Sequence, residues 1–142
     1  MKRVLPLALF AIVSLAGLAL PVFAHHGFQA EFDGNKLVYV TGTLMKLEWE
    51  NPHIYFYVEA KDADGKVTSW QFEGDSPNVV KRAGTQRQDI LASVGKAITV
   101  RACPGKDGTP KGAAETLKGP DGRELVVGGR RFVGDGKAGD QP

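Results

Sequence analysis

An all-β domain with one short helix, closed as a small five-stranded barrel, is what this sequence predicts. Three observations carry the prediction. Residues 53–60 alternate without a break, with Ile54, Phe56, Val58 and Ala60 on one parity and His53, Tyr55, Tyr57 and Glu59 on the other, which is the period of a half-buried strand. Four further apolar or alternating runs lie at short spacing along the chain, too few for a seven-stranded sandwich or an eight-stranded up-and-down barrel. A single helix start, Ser76-Pro77, falls between the third run and the fourth.

The elements follow in order. Leu37 to Trp49, rich in valine, tyrosine and threonine, reads as a long first strand. Its apolar parity changes along the way, from Val38 and Val40 to Met45, Leu47 and Trp49. A bulge or bend near Gly42 is therefore expected to bring both sets to one interior. Glu50-Asn51-Pro52 breaks the run, since proline biases its predecessor away from helix and asparagine favours a turn. The alternating second strand follows, then the hairpin loop Asp62-Ala63-Asp64-Gly65, then a third strand, Val67 to Glu73, with Trp70 and Phe72 inward.

Ser76 at the N-cap and Pro77 at the first helical position begin a short helix that carries Val79, Val80 and Ala83 and stops at Gly84. Gln88 to Leu91 reads as a turn-like piece. Ile98, Val100 and Ala102 alternate as a fourth strand, Ala113 to Leu117 supply the fifth, and the turn Gly119-Pro120-Asp121-Gly122 leads to an additional hairpin arm, Glu124 to Val127. The order β-β-β-α-β-β is that of the oligonucleotide- and oligosaccharide-binding (OB) barrel, whose helix plugs one end. Fold carries no function by itself, so the nucleic-acid binders that share this barrel assign nothing here.

Around the barrel, residues 37–127, the chain has three other parts. Residues 1–24 have the anatomy of a secretory signal peptide: Lys2 and Arg3, an apolar run from Val4 to Leu20, and small-residue positions at Val22-x-Ala24. The run is short for a bilayer and is followed by polar sequence, so no membrane association is expected once the leader is cut. Residues 25–36 form an N-terminal arm with Phe28 and Phe32 able to pack. Residues 128–142 are dominated by Gly, Lys, Arg and Asp and read as a disordered tail. The expected location is the periplasm or the exterior of a bacterial cell.

Charge and cysteine content narrow the partners. The chain has 18 basic and 16 acidic side chains, and losing Lys2 and Arg3 with the leader leaves the two in balance. A neutral chain without a basic run lacks the electrostatic footprint of a nucleic-acid or anionic-membrane binder. Cys103 is the lone cysteine, so no internal disulfide staples the domain. At the end of a strand it reads as a buried thiol acting as a small hydrophobe.

At Ala24-His25-His26-Gly27-Phe28, Glu48-Trp49-Glu50-Asn51-Pro52-His53, Trp70-Gln71-Phe72-Glu73-Gly74 with Ser76-Pro77-Asn78, and Pro120-Asp121-Gly122-Arg123, the chain resembles an uncharacterised family of small bacterial exported proteins, a domain of unknown function. The likeness spans about residues 24–127. It implies bacterial origin and export, and it implies no activity. Members often carry Gly-Trp after the helix, whereas Gly84 is followed here by Thr85.

Two chemistries are legible. The three histidines are His25, His26 and His53. Cleavage after Ala24 would make His25 the first residue, a bidentate chelator through its α-amino group and ring Nδ1. His26 and His53 could add nitrogen ligands, and a nitrogen-rich set favours Cu(II) by the Irving–Williams order. The expectation is an exported binding or accessory protein with a Cu(II) site at His25, His26 and His53. The alternative is a metal-independent module that grips a protein or carbohydrate with the outer face of the second and third strands, where Tyr55, Tyr57, Gln71, Glu73 and the loop residue Asn78 combine aromatics with amides. Trp49 and Trp70 fall on apolar parity and read as core anchors. No nucleophile elbow, H-E-x-x-H, phosphate-cradling glycine motif or complete calcium loop occurs, so no enzyme is expected.

Overall fold

Strand alternation becomes a closed barrel. A computed structural model describes the backbone of residues 22–130 and the side chains from Gly27 onward. The elements are α1 (Val22–Glu31), β1 (Val38–Trp49), β2 (Ile54–Lys61), β3 (Val67–Glu73), α2 (Pro77–Arg82), α3 (Arg87–Leu91), β4 (Ala97–Pro104), β5 (Lys111–Lys118) and β6 (Glu124–Val126). Helix α1 belongs to a unit of its own, residues 1–31, and the barrel unit begins at Phe32. The N-terminal arm is helical through Glu31, where the alanines, glutamine and glutamate of α1 outweigh Gly27. The leader segment lies outside the described residues except for 22–24, at the start of α1. Among the described residues no helix is long and apolar enough to cross a membrane.

The sheet runs β3-β2-β1-β4-β5-β6, and a parallel pairing of β3 with β5 joins its ends. Gln71, Phe72 and Glu73 pair with Lys111, Gly112 and Ala113, which closes five strands into the barrel expected of this element order. Strand β6 adds to β5 as the extra hairpin arm. Closure removes most of the edge that an open sheet would expose.

The parity change in β1 is resolved by a bulge, three residues later than expected. The β1–β2 register slips between Leu44 and Lys46, so Met45 is the extra residue. Met45 is 47% exposed while Leu44 is fully buried, and Met45 thus leaves the inward set in which the parity argument had placed it. Gly42 has a different reason. A Cβ there would lie 2.3 Å from the Glu59 carbonyl oxygen, so only glycine lets β2 approach this closely.

Inside, Phe56 and Phe72 are fully buried with ring centroids 5.5 Å apart, and Leu44, Ile54, Val58, Ile90, Ile98, Val100 and Leu117 pack around them. Trp49 and Trp70 are half-buried and pack against this cluster, the latter stacked on Phe72 at 5.6 Å. Cys103 is buried, as a small hydrophobe would be. One buried charge sits among these apolar groups. Glu115, 2% exposed, accepts a hydrogen bond from the Arg101 guanidinium across a bulge in the β4–β5 ladder.

The helical linker differs in one element. Ser76 starts α2 through its carbonyl, which accepts the Val79 and Val80 amides, its side chain making no cap bond, and Gly84 ends the turn at a φ of +95°. The piece read as a turn is the helix α3, held by a reciprocal capping box between Gln86 and Asp89. Thr85 between the helices is 2% exposed. Hydrogen bonding also continues past β6: the Gly128 amide reaches the Glu115 carbonyl and the Gly129 amide reaches the Asp75 carboxylate. Of the segment read as a disordered tail, residues 131–142 lie outside the described residues.

Candidate functional site

Because Ile54, Phe56 and Val58 face inward, fully buried, the other parity of β2 must face out. His53, immediately before the strand, and Tyr55 and Tyr57 within it share that outer face, each half-buried. The cis Asn51–Pro52 peptide lies in the corner that leads into it. Antiparallel registers then set the neighbours. Tyr55 lies opposite Glu73 and Tyr57 opposite Gln71 on β3, while Glu48 and Lys46 of β1 lie opposite Tyr55 and Tyr57.

Hydrogen bonds tie these side chains into a row. The Tyr55 hydroxyl donates to Glu73 Oε2 at 3.3 Å and the Tyr57 hydroxyl donates to Glu48 Oε2 at 3.1 Å. Lys46 Nζ donates to Glu48 Oε1 at 2.6 Å and lies 5.6 Å from the Tyr57 ring centroid, within cation–π range. Glu48 thus holds a phenol with one oxygen and an ammonium with the other. The Lys46 hydrogen bond keeps the Glu48 carboxyl below its ordinary pKa, with burial opposing it. The same bond raises Lys46. Burial, and after it the hydrogen bond to Glu48, raises the Tyr57 phenol. Exposed pairs of this kind add little to stability. What they do is restrict rotamers.

His53 closes the other end of the row. Its Nδ1 stands 3.1 Å from the Gly74 carbonyl oxygen and 3.4 Å from Glu73 Oε1, with the side chain 38% exposed. A carbonyl oxygen only accepts, so Nδ1 carries a proton, and in the neutral tautomer Nε2 is the nitrogen that holds the lone pair. A metal-ligating histidine is anchored in the same way by its second nitrogen.

Of the residues singled out from sequence, the structure therefore gathers His53, Tyr55, Tyr57, Gln71 and Glu73 on one face. Asn78 sits exposed on α2, and no hydrogen bond joins it to the row among the described residues. The side chains of His25 and His26 lie outside the described residues. Among those described, no group of three His, Cys, Asp or Glu side chains is placed to hold a metal, so the described part of the copper set is the single imidazole of His53. Sequence reading missed Lys46 and Glu48. Their signal was their polar parity on β1, which the register with β2 turns into contact. Asp62 lies apart from the row, and its Oδ1 accepts the Asp64 and Lys66 amides in a hairpin turn.

Neither the curated proteins nor the solved structures contain a match to this chain. Residues 11–114, a span that runs from ahead of α1 into β5, match the model of DUF6152, a family of unknown function, and the chain belongs to that family.

Proposed function

We propose that this is an exported binding or accessory protein, with no catalytic role, that recognises a protein or carbohydrate partner through the outer face of β1, β2 and β3. The observation that carries the reading is the hydrogen-bonded row itself. Tyr57 is held by Glu48, and Tyr55 and His53 are held by Glu73, and preorganised aromatic and polar groups lose less entropy on binding than free ones do. The balanced charge of the mature sequence favours a neutral partner over nucleic acid or an anionic membrane.

The test is the double substitution Tyr55→Ala/Tyr57→Ala in protein recovered from the exported fraction. Affinity capture against periplasmic extract and binding to a glycan array are expected to lose their signal while the thermal unfolding profile is kept. Unchanged capture by the folded double variant overturns the reading.

A second reading is favoured by the anchored Nδ1–H of His53, which makes Nε2 the ring nitrogen that could ligate a metal. Here a chain processed after Ala24 binds Cu(II) through the amine and imidazole of His25, with His26 and His53 completing the set. Calorimetric titration is expected to show tight binding for protein beginning at His25 and much weaker binding when leader residues remain. Affinity should fall as the pH is lowered and the ligating nitrogens take up protons. Equal affinity for both forms rules out the amino-terminal chelate.

A further inference from the structure

A concave site that shares no residue with the sheet face lies between α3 and the β5–β6 turn. It is a cleft of about 210 Å³, lined among others by Ser93, Lys96, Asp121 and Arg123. That volume is below the roughly 300–1,000 Å³ of pockets for drug-sized ligands and suits a smaller molecule. Four observations describe what it could hold.

Ser93 contributes a buried hydroxyl. The residue is 4% exposed; its amide donates to Ile90 and its carbonyl accepts from Lys96, yet among the described residues its Oγ has no hydrogen-bond partner. Buried hydroxyls are rarely left so, because an unmet polar group costs free energy. Gly119 keeps the space beside it open: a Cβ there would stand 3.0 Å from Asp121 Oδ1 and 3.4 Å from Ser93 Oγ. The carboxylate and the hydroxyl therefore face the same small volume.

Charge pairing is selective. Arg123 Nη1 lies 3.4 Å from Asp89 Oδ1, and the other Asp89 oxygen takes the Gln86 amide, so these two ions satisfy each other. Asp121 Oδ1 accepts the Arg123 amide but meets no cation, and Lys96 meets no carboxylate, among the described residues. One uncompensated cation and one uncompensated anion thus flank an unmet hydroxyl.

We propose that this cleft binds a small zwitterion of the α-amino-acid type, its carboxylate taken by the Lys96 ammonium and the Ser93 hydroxyl and its ammonium by the Asp121 carboxylate. Neither charge alone matches the lining, since a bare anion leaves Asp121 uncompensated and a bare cation leaves Lys96 so. The site shares no residue with the outer face of β1–β3, and its test is independent of that reading.

The experiment is a heteronuclear NMR titration of the exported protein with each of the common L-amino acids, with acetate and methylammonium as single-charge probes. At millimolar concentration at least one amino acid is expected to shift the amides of Ser93, Lys96, Gly119 and Asp121 saturably, with both single-charge probes inert. The substitution K96Q, on an exposed side chain that leaves folding intact, is expected to raise the dissociation constant about tenfold or more, the scale of a lost charge-assisted hydrogen bond, and S93A is expected to raise it as well. The proposal is overturned if no amino acid shifts these amides, if acetate alone shifts them as strongly, or if K96Q leaves the dissociation constant unchanged.

Discussion

Replacing Arg101 by methionine should destabilise this barrel markedly. Glu115 is 2% exposed and the Arg101 side chain 22% exposed, so the substitution takes the guanidinium away from a nearly fully buried carboxylate, while the cation itself had kept partial contact with water. Breaking a buried pair in this way costs about 3–5 kcal/mol, and the partial exposure of Arg101 places the expected loss near the lower end, about 3 kcal/mol. For a domain of this size each kcal/mol moves the melting point by roughly 4–8 °C, so Arg101→Met should melt roughly 12–24 °C below the parent. Urea unfolding should show a lower midpoint with an unchanged slope, because the surface exposed on unfolding is the same. The Glu115 carbonyl still holds the Val127 and Gly128 amides, which isolates the side-chain effect. The double variant Arg101→Met/Glu115→Leu removes both charges and should recover most of the loss, as apolar replacement of buried pairs commonly does. A single variant within about 1 kcal/mol of the parent, or a double variant as unstable as the single, would refute the assignment of Glu115 as a charge dependent on Arg101.

Gly42→Ala should cost at least the upper part of the roughly 1–3 kcal/mol typical of overpacking, because its methyl would meet the Glu59 backbone carbonyl; urea unfolding at parental stability counts against the close approach. Glu48→Gln should lower the Tyr57 midpoint toward 10 without reaching it, since burial, the larger cause, remains. A phenol raised on folding stabilises below 10 and loses that contribution as pH rises through its folded value, so the variant's loss should start at the same pH, near 10, but be smaller and end at lower pH than in the parent. Ultraviolet difference titration reads the midpoint, and an unmoved phenol excludes the hydrogen bond. Asp107 is held at about 2, first by the Thr109 hydroxyl and then by Lys111. Its contribution is present above 3.8 and fades as pH falls through about 2, a limb that Asp107→Asn should flatten. An Asp107 carboxyl that NMR finds titrating near 3.8 disproves this turn.

The strands and their order were legible because the strand period is a property of side chains alone. Ile54, Phe56 and Val58 declare their face whatever they pair with, and the breaks at Pro52, Gly65 and Ser76 mark where one strand yields to the next. Positions set by pairing were not legible. Parity showed that β1 must shift between Val40 and Leu47, but Leu44 and Met45 are both apolar, and only the ladder with β2 decides which is extruded. Glu115 was not singled out, because only the bulge in the β4–β5 ladder sets it beside Arg101. The capping box of α3 was hidden because glutamine is an unusual N-cap. In the site, the face of β2 was readable from His53, Tyr55 and Tyr57, whereas Lys46 and Glu48 joined it through register, and Ser93, Lys96 and Asp121 converge only through tertiary packing.

Glu73 is where stability and recognition can be pulled apart. It follows Phe72 in the three-residue segment that closes the barrel on β5, yet its carboxylate points outward to Tyr55 Oη and His53 Nδ1. Glu73→Gln keeps the backbone ladder and leaves Gly74 to hold the His53 tautomer, so folding and the Nε2 lone pair should survive while the charge on the row is lost. If the row recognises a partner directly, capture should drop as it does for the double tyrosine variant. If His53 instead serves copper, the outer-shell loss should weaken binding about 10–100-fold without abolishing it. A Glu73→Gln protein that folds, captures its partner and binds copper like the parent would leave neither reading standing on this face.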